Sequence, residues 1–266
     1  MRFWTKSLAI SVALALFIAC GDDDSNFTTR PLGDSSSSIK SSSSKGATAN
    51  DAICKTETED NCEYDSLTDR RDDQVYRTVK IGEHWWMAEN LNYETDNSFC
   101  YDDEDFYCTE FGRLYTWAAA MDSAGRWGSK GRNCGLDRVC TPEGNVRGVC
   151  PEGWHLPVTK EFFEIIKMAG GQSLAGEMMK FTDGWKDYGE KRGIGSDGFG
   201  FSALAAGIRG LFRHYLEIGS ETYFWTATDS DSLRAYAMGL FNRNTNLEYY
   251  VIHKSEGVSV RCVKDE

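Results

Sequence analysis

Val146–Gly171 reads VRGVCPEGWHLPVTKEFFEIIKMAGG, and how this stretch folds decides the rest of the chain. Cys150 precedes Pro151, and a Trp-His-Leu-Pro corner follows. A residue before proline is pushed toward extended geometry, so Leu156 is expected in a strand or turn. Thr159 is then the expected N-cap, and Glu161 suits the positive end of a helix dipole. Phe162, Ile165, Ile166 and Ala169 repeat on one helical face, and Gly170-Gly171 stops the run. A strand, a fixed corner and a core helix over Pro157–Ala169 form a compact folding anchor.

Working outward, Val75–Met87 (VYRTVKIGEHWWM) reads as a hairpin turning at Gly82-Glu83-His84. Trp85 and Trp86 then point to opposite faces. Leu114, Trp117, Ala118 and Met121 share one helical face, which predicts a helix over about Arg113–Ser123. Gly176–Phe181 is expected to add a short helical turn. Beyond the Gly-rich GSDGFGFSALAAGIRG, four short strands are expected: Tyr223–Ala227, Arg234–Phe241, Leu247–His253 and Val258–Val263. Strand, helix, helix and a run of antiparallel strands make an α+β domain. The first strand and the Cys262 strand are expected to lie side by side.

The chain begins with Arg2 and Lys6, then an apolar run from Ser7 to Ala19, which is the pattern of a secretory leader and short for a membrane span. Phe17-Ile18-Ala19-Cys20 resembles the lipobox of bacterial lipoproteins, which implies cleavage before Cys20 and a lipid on its sulfur. Residues 20–50 carry two SSSS runs and almost no large apolar side chain, so they read as a disordered tether. Gly21-Asp22-Asp23-Asp24 resembles surface-export signals of some Gram-negative groups, and equally suits a solvated linker. Outer-membrane attachment is expected, on the cell surface or alternatively the periplasmic face.

With 41 acidic residues against 29 Lys and Arg, the chain has a formal charge of −12 and no basic block, so nucleic acid is not an expected partner. Nine cysteines less Cys20 leave eight, an even number suited to disulfides in an oxidising compartment. Spacing favours Cys54 with Cys62, Cys100 with Cys108 and Cys134 with Cys140 as local loops, leaving Cys150 and Cys262 for a long one. Other connectivities remain open. Zinc lacks the paired-cysteine spacing it would need.

VYRTVKIGEHWWMAENLNY, FGRLYTWAAAM, VRGVCPEGWHLPVTKEF, GFSALAAGIRG, YFWTAT and SVRCVKD, in this order, closely resemble the Fibrobacter succinogenes major paralogous domain. The resemblance runs from about Asp72 to Asp265, preceded by a Cys-containing lead-in at 51–71. Ala205 departs from it, standing where that family more often has proline. The family is similar to C-type-lectin-like domains, including the formylglycine-generating sulfatase-modifying group, which share a corner like Gly153–Glu161. The resemblance implies a disulfide-braced C-type-lectin-like domain with two main helices, a looped-back antiparallel sheet and long irregular loops. It also implies secretion or lipid anchoring.

Catalytic signals are missing from the pattern. The lectin calcium triplets have no counterpart, and the acidic run Asp102–Asp105 lacks spaced ligands and reads as a solvated loop. Formylglycine chemistry needs two late reactive cysteines, and only Cys262 lies beyond Cys150. The histidines are scattered, and His155 in the corner reads as structural. Neither a cofactor nor a metal is expected. The sharper signal is aromatic: Trp85, Trp117, Trp154 and Trp225 read as core, whereas Trp127, Trp185 and Tyr188 fall in polar loops. Tyr249-Tyr250 lies beside Asn242, Asn244 and Asn246 on an expected hairpin. Flat rings next to amides suit sugar rings, stacking on C–H faces while amides meet hydroxyls. The expected role is a non-enzymatic binding or adhesion module for plant polysaccharide, with an envelope protein as the other candidate partner.

Overall fold

A computed structural model describes residues 53–189 and 195–266. The leader, Cys20 and the tether lie outside the described residues. The strands are β1 Tyr64–Asp69, β2 Gln74–Ile81, β3 His84–Met87, β4 Ser98–Phe99, β5 Leu114–Tyr115, β6 Trp154–His155, β7 Ala206–Arg209, β8 Tyr215–Ile218, β9 Glu221–Asp229, β10 Arg234–Phe241, β11 Leu247–His253 and β12 Val263–Lys264. The helices are α1 Asp105–Phe111, α2 Trp117–Ala120, α3 Thr159–Met168 and α4 Gln172–Met179, with a 3-10 turn at Tyr101–Asp103. The fold is thus rich in strands with a few helices, a disulfide-braced α+β arrangement.

One five-stranded sheet runs β1-β2-β3-β12-β6 and is antiparallel throughout. The chain's last strand enters between β3 and β6, with Val263 opposite Trp86 and His155, so it shares a sheet with the first strand but lies beside the second arm of the β2–β3 hairpin rather than beside β1 or β2. The lead-in is built into this sheet as its edge strand β1. The second five-stranded sheet runs β11-β10-β9-β7-β8, antiparallel except where β7 meets β9. Four disulfides pair Cys54–Cys62, Cys100–Cys108, Cys134–Cys140 and Cys150–Cys262.

The second sheet divides two apolar cores. Successive residues of a strand face opposite ways, so Tyr223, Trp225, Ala235, Ala237 and Phe241 enter one core with Trp117, Trp154, Leu156 and the Cys150–Cys262 bridge. Phe224, Met238, Leu240 and Leu247 enter the other, with Val79, Trp86, Phe162, Ile165 and Met179. Burial on both faces is why β9 and β10 read as near-continuous apolar runs. The tandem tryptophans separate as expected: Trp86 is in this second core, and Trp85 leans half-buried on the first.

Three elements differ from the sequence reading. The helix expected over Arg113–Ser123 is instead β5, paired with β4, followed by the short α2 capped by Thr116, whose hydroxyl accepts from Ala119 N–H at 3.3 Å. Val258–Val263 is mostly loop, crossing Tyr115 and Phe224 as isolated bridges and joining a ladder only at β12. The turn expected at Gly176–Phe181 is the full helix α4. At the β2–β3 turn, Gly82 has φ 63°, and a Cβ there would come within 2.6 Å of Met168 Sδ on α3.

The corner behaves as its sequence implies, with one shift of frame. Val158, not Thr159, is the N-cap of α3, and the Glu161 carboxylate accepts its N–H at 2.8 Å. Valine cannot cap, so the acid in the first turn does so in reverse. The other oxygen of Glu161 lies 2.9 Å from His155 Nε2, and Asp265 lies 2.8 Å from Nδ1. Burial opposes a charged ring here, but Glu161 and then Asp265 outweigh it, so the His155 pKa is raised above 6.5. A raised folded-state value gives stability that is full below the unfolded value and is lost as pH rises through the folded one. The melting temperature is therefore expected to fall as pH rises from about 6.5, the ordinary histidine value, through the raised folded-state one, and His155→Gln should flatten that slope. A wild-type melting profile level over this window would contradict the pairing.

Candidate functional site

The aromatic-and-amide hairpin is β10–β11 with its turn, Asn242–Asn246. Two groups hold that turn from below. Lys180, fully buried, donates to Phe241 O at 2.8 Å and Asn244 O at 2.7 Å. Burial pulls its pKa down to about 8. From the side, Gly176 of α4 passes so close that a Cβ there would sit 2.2 Å from Asn246 O, and Glu177 N–H donates to Thr245 O at 3.1 Å. A missing side chain permits this approach.

The amides look inward. Asn242 is buried and donates to Lys186 O at 3.1 Å. Asn244 and Asn246 both donate to Glu248, at 2.6 and 3.4 Å, and Tyr250 adds its hydroxyl at 2.8 Å. Burial works against the Glu248 charge, but these donors and Arg243 prevail and hold its carboxyl below the usual range. Arg243 in turn meets Glu221 at 2.8 Å and Tyr250 Oη at 3.2 Å. Tyr250 packs its ring on Tyr223 and Phe241, centroids 5.5 and 5.2 Å away. The result is a rigid polar scaffold rather than a row of free amides.

Tyr249 points the other way and is 44 % exposed. Its ring lies parallel to Tyr236 on β10, centroids 4.6 Å apart at 21°, and 5.9 Å from Phe163 of α3, itself 47 % exposed. Burial and the hydrogen bond with Tyr236 push the Tyr249 hydroxyl up to about 12, so it is a neutral donor at any physiological pH. Beside it, Gln172, Ser173, Asn246 and Glu248 line a recess of about 460 Å³. Rings for stacking and polar groups at one rim form a surface that can hold a ring-shaped, hydroxylated ligand.

The other sequence candidates lie elsewhere. Trp185 is buried, donating its indole N–H to Ala203 O at 3.1 Å with the Lys180 ammonium 5.1 Å from its ring. This corrects the expectation of an exposed loop tryptophan: the ring is shielding for a buried charge. Tyr188 is exposed, but no ring contact among the described residues joins it to Tyr249. Trp127 is half-buried, edge-on to Tyr93 at 5.4 Å. Phe163, Tyr236, Gln172 and Ser173 were not anticipated. A phenylalanine on the polar side of an amphipathic helix is the one signal that could have pointed to Phe163.

The acidic run closes the 3-10 turn and opens α1; Asp103 accepts the hydroxyl of Tyr215. Among the described residues no group of three His, Cys, Asp or Glu is arranged to hold a metal ion.

A family model described as Fibrobacter succinogenes major domain matches residues 79–264. No curated protein and no solved structure matches the chain.

Proposed function

The chain belongs to the Fibrobacter succinogenes major domain family, and from that premise we propose that it is a non-enzymatic, surface-anchored binding module for plant polysaccharide. In this reading the folded part takes a C-type-lectin-like arrangement, Cys20 carries the lipid, and the Ser-rich arm holds the domain away from the outer membrane. The observation that supports it is the Tyr236–Tyr249–Phe163 platform, whose central ring, Tyr249, lines the Gln172–Glu248 recess. Exposed stacked rings on a rigid hairpin lose little freedom on binding.

Retention of the full chain on insoluble cellulose and xylan tests this. Wild type is expected to be retained, and the Tyr249→Ala, Phe163→Ala double variant to lose at least about tenfold in affinity, equivalent to about 1.4 kcal/mol. Equal retention of both proteins, or none of either, would remove the platform from the account. An envelope-protein partner is the second reading. It draws on the β7–β8 hairpin, whose tip leaves Leu211 48 % and Phe212 84 % exposed.

A further inference from the structure

A different recess, of about 370 Å³, is lined by Thr68, Asp69, Arg70, Arg71, Arg147 and Glu152, with Leu67 and Gly153 completing it. Three guanidiniums in one hollow run against a composition of 41 acids to 29 bases. Their placement is fixed by the fold. Arg71 is gripped by Asp69 through Nε at 2.8 Å and Nη2 at 2.5 Å, and Nη2 also donates to Val149 O at 2.9 Å. Its planar group lies 3.8 Å over Tyr93 and 4.9 Å from the ring of Trp127. Trp127 is thereby a positioning residue for an arginine rather than a sugar platform.

Among the described residues Arg147 is held only by carbonyls, Cys150 O at 3.1 Å and Trp127 O at 3.2 Å. Among the described residues neither Arg147 nor the exposed Arg70 has a carboxylate partner, and Arg71 Nη1 is buried without an acceptor. Guanidinium is always charged, and its planar fork matches a carboxylate or another oxyanion. The hollow is within the size range of small-molecule sites, larger than a bare anion needs. The Glu152 carboxylate and Thr68 hydroxyl at its wall can accept from sugar hydroxyls.

We infer that this recess binds a carboxylate-bearing sugar, a uronate unit of an acidic polysaccharide. The inference rests on the polysaccharide reading and gives it a second, charge-selective subsite. Calorimetric titration of the full chain in detergent with oligogalacturonate, a neutral cello-oligosaccharide and inorganic phosphate tests it. Oligogalacturonate is expected to bind, more weakly at high salt. Arg70→Gln alone, at an exposed side chain, should weaken uronate binding with no change in melting temperature, and Arg70→Gln with Arg147→Gln should reduce that affinity at least tenfold while leaving the neutral-sugar titration unchanged. Tyr249→Ala should do the reverse, which separates failure of this subsite from failure of the platform. Absence of uronate binding, binding indifferent to the double arginine variant, or equal competition by inorganic phosphate would overturn the inference, the last by assigning the arginines to a free anion.

Discussion

Replacing Cys150 and Cys262 together by serine is expected to lower stability by about 4–5 kcal/mol, the largest loss from any one bridge. The bridge spans 112 residues, against 8 for Cys54–Cys62 and 6 for Cys134–Cys140. Loop-closure entropy in the unfolded chain grows with the logarithm of loop length, so the same relation gives only about 2–3 kcal/mol for the short loops. The site compounds the entropy. Cys262 directly precedes β12, a two-residue strand that sits between β3 and β6. Met87 N–H donates to Cys262 O at 3.0 Å and Leu91 N–H to Val260 O at 2.9 Å. So short a strand has few ladder bonds of its own, and the bridge holds it in register beside the corner. For a domain of this size, about 2–4 °C of melting temperature accompanies each kcal/mol. Thermal melts of the two double-serine variants, Cys150/Cys262 and Cys54/Cys62, measured under one set of oxidising conditions, provide the check. Equal losses would mean that loop length does not govern the stabilisation.

The elements that could be read from sequence are those whose pattern is local. The Gly82 turn between two β-rich runs placed β2 and β3, and the Phe162–Ile165–Ala169 face placed α3 within two residues. β10 and β11 have the limits that their composition suggests. Arg113–Ser123 misled because helical spacing of Leu114, Trp117 and Met121 also fits a strand followed by one helical turn. What decides it is Tyr115, fully buried, whose hydroxyl donates to Tyr93 O at 2.7 Å and whose neighbour Leu114 pairs with Phe99. The candidate site was half legible. Tyr249 stood out as an aromatic beside amides, but whether an amide faces a ligand or its own hairpin depends on Glu248, which lies two positions from both Asn246 and Tyr250 and carries no signal of its own in the pattern. Phe163 and Gln172 join Tyr249 only through the packing of α3 and α4 on the sheet, and Arg147 joins Arg70 across 77 residues of chain. Tertiary juxtaposition of that kind leaves no periodic trace.

Arg261→Met is expected to cost about 3–5 kcal/mol although it replaces a buried charge by an apolar chain. Arg261 is 1 % exposed and lies in the apolar run Val258–Val263, where a strand reading would have placed it on a core face or in solvent. Among the described residues no carboxylate forms an ion pair with it. Its Nε donates to Asn90 Oδ1 at 2.7 Å, Nη2 to Ser202 O at 3.0 Å, and Nη1 to Phe201 O, with the guanidinium 4.2 Å over the Phe201 ring. Burial pulls its pKa down to about 9, which still leaves it charged at neutral pH. These acceptors come from two segments, the turn after β3 and the Gly-rich run before β7, that share no ladder with each other. One planar cation with five donors satisfies both at once. Methionine fills the volume but leaves those oxygens buried and unpaired, each a penalty of about 1–3 kcal/mol. Arg261→Lys keeps the charge and loses the fork, so its loss should fall between wild type and methionine. Urea unfolding of the three proteins measures this order. A methionine variant within about 1 kcal/mol of wild type would show that water reaches the carbonyls and that the cation does not join the segments. A lysine variant equal to wild type would show that charge alone suffices there, with no requirement for the planar fork.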